Sequence, residues 1–193
     1  MTKNPFILGI LLFGATMLIF FVVYFFFSGI NYFETSMIIN AFALPVLYAG
    51  TAFWSVKTAW NKKRLNFKEA FQKSFVPMFV GGLLSVISIF TFLNFVDRDA
   101  KDLLNYQFVQ TNKQKLEDTY QAEKSRLKTE KEILDLEVDY QKNLQSFNSE
   151  QVKGKDMLTF SHFSGYFAAI LIFYLVLSLF FGAFLRSRSS ANQ

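Results

Sequence analysis

One imidazole, His162, stands inside the long apolar runs of this 193-residue chain. It falls about six residues past Asp156, roughly one and a half helical turns from the charged segment. Asn40 and Asn94 lie at a similar depth in two other apolar runs. An imidazole titrates near neutral pH, and the two amides both donate and accept. Together the three could form one polar cluster, a shallow site or a proton-sensitive latch. Each could equally hydrogen-bond a neighbouring helix and tune packing. The sequence leaves both readings open.

Other chemistry is sparse. Ser161 and Ser164 flank the histidine, but neighbours on one helix do not make a nucleophile–base relay. No Asp, Glu, Lys or Arg lies inside the runs, where a proton-coupled transporter usually needs a carboxylate. The chain has no Cys, which excludes thiol chemistry, a disulfide scaffold and Cys-ligated metal centres. A single His excludes the paired-His zinc helix, and no phosphate-cradling loop or nucleophile elbow is present. The expectation is a protein that is not an enzyme and carries no cofactor.

The elements that position these residues follow from where charges are missing. Asn4–Phe33, Thr35–Val56, Ser74–Val96 and Met157–Leu185 carry no Asp, Glu, Lys or Arg. A helix needs about 20 apolar residues to cross a hydrocarbon core of roughly 30 Å. Phe20 to Phe27 holds no polar stripe, as a helix in water would, and the runs are too long and too little alternating for strands. An all-α integral membrane protein is predicted, with four transmembrane helices at about 6–28, 35–56, 74–96 and 157–185. The first run is longer than a secretory signal and lacks a small-x-small site, so it reads as a retained anchor.

Basic residues set the orientation. Lys57, Lys62, Lys63, Arg64, Lys68 and Lys73 face one acid, Glu69, in the 57–73 loop, and Arg186 and Arg188 mark the tail. Both termini and this loop are therefore expected in the cytoplasm. The net charge of +5 is a topology signal, with no basic domain to bind nucleic acid. Phe67, Phe71 and Phe75 at i, i+4, i+8 predict a short amphipathic stretch along the headgroups. Trp54 and Trp60 suit interfacial anchors. The lipid bilayer is the implied partner of the interfacial anchors Trp54, Trp60, Phe67 and Phe71.

The extracytoplasmic insert, 97–156, holds 11 basic and 13 acidic residues and is rich in helix formers. Asp97 and Asp99 suit a helix start. Both ends of the insert return to one membrane face, so a single straight helix is excluded; a helical hairpin turning within Ala122–Lys128 is expected. Tyr120, Leu127 and Leu134 form one apolar stripe, and Ile133, Leu136, Tyr140, Leu144 and Phe147 a second. The hairpin could dock a protein partner or a second copy, or simply pack on itself. Gly154 marks the return to the bilayer.

Small residues suggest close approach. Ser161, Gly165 and Ala169 repeat every four residues, as do Gly81 and Ser85, which predicts tight pairing of the third and fourth transmembrane helices. Pro45 should kink the second, and Pro77 should lie near the start of the third, where it is tolerated.

The stretch Leu65-Asn66-Phe67-Lys68-Glu69-Ala70-Phe71, the exit Phe92-Leu93-Asn94-Phe95-Val96-Asp97, the charged helical insert and the basic C-terminal end together resemble the domain of unknown function 4199 family. The resemblance covers nearly the whole chain. It implies a small multi-pass protein of the bacterial inner membrane, and the family supplies no site residues. The insert lacks the Gly that often breaks it in members. The leading functional expectation is a non-enzymatic structural or interaction component. A small oligomeric channel or transporter subunit, with Asn40, Asn94 and His162 near its outer mouth, is the alternative.

Overall fold

Asn4 and Pro5 open the first helix: the Asn4 side chain accepts from the Phe6 N–H at 3.0 Å, and Pro5 supplies a helical φ where no donor is needed. In this computed structural model, which describes residues 4–29, 31–61, 65–148 and 156–185, α1 spans Pro5–Phe27. It is followed by α2 (Tyr32–Trp60) and α3 (Phe67–Val96), α4 (Arg98–Lys124), α5 (Glu130–Asn148) and α6 (Phe160–Phe184). No strand occurs among the described residues. Four helices, α1, α2, α3 and α6, are long and apolar enough to cross a membrane. Their outer faces are apolar to an extent that water would not tolerate, with Phe26 79% exposed. Lys3, Lys62, Lys63, Arg64, Gly154, Arg186 and Arg188 lie outside the described residues.

The third long helix begins earlier than its charge-free run. Asn66 accepts from the Glu69 N–H at 2.8 Å while the Glu69 side chain accepts from the Asn66 N–H at 3.1 Å. This reciprocal cap starts α3 at Phe67. The Phe67–Phe71–Phe75 stripe thus forms the first turns of the continuous helix α3. Its rings stack onward to Phe79, with centroids 6.4, 5.6 and 5.6 Å apart in turn. Pro77 is consequently inside α3 rather than near its start.

Two π-turns interrupt the long helices. Ile39–Ala43 ends two residues before Pro45 in α2, where a widened turn accommodates the ring and the missing donor. Phe92–Val96 ends α3, with the Asp97 N–H bonding Phe92 O at 2.9 Å.

The most extensive helix contact joins α1 to α3, and α3 to α6 comes next. Glycine permits the first. A Cβ on Gly9 would sit 2.7 Å from Val80 Cβ, and one on Gly81 would meet Leu12 and the carbonyl of Gly9. Gly81 therefore serves the α1 contact and not the pairing expected for it. On α6, Ser161, Gly165 and Ala169 are exposed, and a Cβ on Gly165 would meet nothing within 4 Å. The close approach of α3 to α6 uses Gly82 instead, against the Tyr174 ring.

The charged segment forms two antiparallel helices, α4 and α5, joined through Ser125–Thr129. The turn overlaps the expected window. Of the two apolar stripes, the second is the packed one: Ile133, Leu136, Tyr140, Leu144 and Phe147 are half-buried. In the first, Leu127 falls in the turn and Leu134 is 64% exposed.

Candidate functional site

The base of α4 is fastened to the bundle at three places. Tyr24, near the end of α1, donates to Asp97 Oδ2 at 2.5 Å, while Asp97 Oδ1 caps α4 by accepting from the Ala100 N–H at 3.0 Å. The bond from Tyr24, aided by the backbone donor, holds the Asp97 carboxyl below its usual range. One turn further along α4 and beyond, Lys101 pairs with Asp156 Oδ2 at 2.8 Å, just before α6. Asp156 Oδ1 accepts from Asn105 at 3.2 Å and from the Leu158 N–H at 2.8 Å. Burial alone would raise this carboxyl; the donors Lys101, Leu158 and Asn105 outweigh it and set it below the usual value. The third fastening is Gln107, whose carbonyl accepts from the Phe33 N–H at 2.8 Å and whose amide donates to Gly29 O. It thereby serves the end of α1 and the start of α2 at once.

The three sequence-derived polar residues do not bond one another among the described residues. Asn40 is exposed and donates to Ser36 O of its own helix at 2.9 Å. Asn94 donates to Phe90 O at 3.0 Å and to Leu158 O at 3.2 Å, and accepts from Lys101 at 3.3 Å. It belongs to the fastening at Asp156. His162 Nδ1 lies 2.7 Å from Thr159 Oγ1, which also accepts from the His162 N–H, so the histidine completes the cap of α6. Trp54 and Trp60 are exposed on the last turns of α2, and Phe67 is partly so.

Below the base of α4 lies a cavity of about 730 Å³. Leu104 and Phe108 of α4 cover it, with Met157 and Leu158 beside them. Thr16, Tyr48, Gly82 and Tyr174 line its deep end. There the Tyr48 and Tyr174 rings stack with centroids 5.2 Å apart and planes 7° apart. Thr16 Oγ1 lies 3.2 Å from Tyr48 Oη and donates to Leu12 O at 2.9 Å. Gly82 leaves room for the Tyr174 hydroxyl. The half of α2 through Ala43 makes no close backbone approach to α6 among the described residues, so the cavity opens sideways between them. Met37, Asn40 and Ala41 form one lip and Tyr166, Ala169 and Phe173 the other, all lining and all exposed. Two lining hydroxyls, Tyr32 Oη and Ser85 Oγ, are buried and have no hydrogen-bond partner.

Sequence reasoning named Asp97 only as a helix start and missed Tyr24, Lys101, Asn105, Gln107 and Tyr32. Asp97 and Asp156 bracket the charged segment, and that position at the two crossings was the available signal.

Fold and site define a class: a four-helix bundle of membrane-crossing length, with a helical hairpin clamped to one end over a mostly apolar cavity. The chain belongs to the family described as protein of unknown function, DUF4199, whose model matches residues 8–187. No curated protein and no solved structure matches it.

Proposed function

We propose that this is a non-enzymatic, multi-pass protein of the bacterial inner membrane that holds a helical hairpin in the periplasm as an interaction arm. Both termini and the 57–73 loop are cytoplasmic in this reading, because the basic residues gather there. One observation carries the functional part. The arm is held at a fixed attitude by Tyr24, by Gly29 and Phe33 through the arm's own Gln107, and by Asp156, so that different parts of the bundle grip it. A merely solvated loop has no need of such fastening. Beyond the fastened base, Leu134 and Val138 present apolar surface away from α4, 64% and 60% exposed. That stripe is the surface offered to a protein partner or a second copy.

The absence of Cys makes a clean test available. A Leu134→Cys chain in spheroplasts should react with a membrane-impermeant maleimide, while Ala191→Cys should react only after lysis. A photo-crosslinking residue at Val138 should then give a discrete protein adduct in cells. The interaction reading fails if Val138 yields no adduct although the labelling pattern holds. The topology fails if Ala191→Cys labels from outside.

A further inference from the structure

We propose that the cavity between α2 and α6 is a binding site for one acyl chain of a membrane phospholipid, with an ester oxygen accepting from Tyr32 Oη. The proposal rests on the membrane reading above. Its geometry is a slot that is closed on the arm side and open sideways. Leu104, Phe108, Met157 and Leu158 cover the top, and the stacked Tyr48 and Tyr174 stop the far end. The lips, Met37 and Ala41 on one side and Ala169 and Phe173 on the other, sit on the same exposed apolar surface that faces lipid. From Leu93 down to Gly82 the slot follows α3 for about 17 Å at 1.5 Å per residue, a depth suited to an extended chain.

The lining selects hydrocarbon over water. A buried water needs two to four polar partners. Thr16 and Tyr48 already pair with each other, and Asn40 is engaged with Ser36. Ile19, Val86 and Ile89 dominate the walls between them. Two lining hydroxyls, Tyr32 and Ser85, are exceptions, and Tyr32, at the mouth nearest the arm, is the one that points to a ligand. It is 1% exposed, it lines the cavity at the start of α2, and its hydroxyl has no partner. A buried hydroxyl without a partner is unfavourable. Its level in the bundle, at the end nearest the arm, is where the ester groups of the outer leaflet lie. Chain oxygen at Tyr32 and methylenes running toward Tyr174 satisfy both the lone donor and the apolar walls.

Native mass spectrometry of the full chain, released from nanodiscs of mixed phosphatidylethanolamine and phosphatidylglycerol, tests this. One phospholipid should stay bound per chain. Tyr32→Phe should lower the retained fraction roughly fivefold, as loss of one hydrogen bond would. Ala169→Trp should abolish retention by filling the mouth, whereas Val46→Trp, exposed and outside the lining, should not. Ser85→Ala, deep in the slot where only methylenes reach, should retain lipid at least as well as the parent. Equal retention in Tyr32→Phe, Ala169→Trp and the parent overturns the proposal, and so does retention of a free fatty acid or another lipid mass in place of phospholipid. Alkaline-washed membranes separate this failure from that of the membrane reading: a chain that stays in the pellet yet holds no lipid defeats the site alone, and a chain recovered in solution defeats both.

Discussion

Tyr24 Oη lies 2.5 Å from Asp97 Oδ2, so the last turns of α1 are bonded to the cap of α4. Asp97 thereby serves two helices. One oxygen satisfies an otherwise unpaired N–H of α4, and the other fixes that helix to the bundle. The carboxylate is required for both, because a protonated acid accepts less well.

A pH dependence follows with a definite sign. Asp97 is held below its ordinary value near 3.8, chiefly by the Tyr24 bond. A group with a depressed folded pKa contributes stability above its unfolded pKa and loses it as pH falls through the folded one. The melting-temperature gap between the parent and Tyr24→Phe should therefore be constant from about pH 7 to 5 and close below about pH 4. A gap that does not narrow at all as the acid range is entered would show that Tyr24 acts by packing alone. The comparison must be made as a difference between the two chains, since Asp156 is also held low and weakens in the same acid range.

The Lys101–Asp156 pair makes a sharper distinction between charge and geometry. Lys101→Met should destabilise the solubilised protein by about 1–3 kcal/mol, the range for stranding a part-buried charge that still has other donors. Exchanging the two residues should not restore stability. Asn105 and the Leu158 N–H both donate to the Asp156 carboxylate, and a lysine there would leave both donors without an acceptor. Thermal melts of Lys101→Met, Asp156→Asn and the double exchange decide this. Recovery in the exchange would mean that the pair matters only as two opposite charges.

Glycine substitutions separate the helix contacts that the structure uses from those that small-residue spacing suggested. Gly9→Ala drives a methyl against Val80 and the Pro77 carbonyl, backbone that cannot step aside. It should cost about 1–3 kcal/mol. Gly165→Ala adds a methyl to open space and removes a flexible residue from a helix. It should be neutral or stabilise by up to about 1 kcal/mol. Unfolding in mixed detergent micelles measures both, and a loss at Gly165 with none at Gly9 would reverse the helix pairing described above.

These outcomes bear on what was legible in the residues themselves. The four apolar helices could be read because lipid-length runs without charge have few alternatives, and the antiparallel insert because its two ends must return together. Helix boundaries were less visible. Asn66 and Glu69 form a reciprocal cap within a charged stretch, so α3 starts before its charge-free run does. Packing partners were not legible at all. Spacing says that Gly81 shares a face with Ser85, but not that α1 brings Gly9 to it. The site was hidden for a related reason. Asn40, Asn94 and His162 stood out as polar groups in apolar runs, yet Asn40 and His162 are satisfied close to their own backbone and Asn94 joins the fastening at Asp156. Tyr32 reads as one more aromatic, and only the arrangement of five helices leaves its hydroxyl alone beside a cavity.

The arm itself is held together by a tyrosine pair. Tyr120 and Tyr140 stack with ring centroids 4.4 Å apart. Tyr120 donates to Glu137 at 3.1 Å and accepts from Lys124 at 2.9 Å, while Tyr140 donates to Glu117. Each ring thus carries a hydroxyl that reaches across to the opposite helix, so the stack and the polar bonds share one geometry. Removing either ring frees the other from the stack, which the two share, so their effects cannot fully add. Tyr120→Ala and Tyr140→Ala should each loosen the arm, and the double variant should fall short of their sum by about 0.5–1.5 kcal/mol, the worth of a coupled aromatic pair. Hydrogen exchange of α5 amides in the full chain reads this directly, because opening the arm exposes α5 without melting the bundle. Strict additivity would place the holding force in the half-buried Ile133 and Leu136 instead, and the tyrosines would then be passengers on a seam formed by aliphatic side chains.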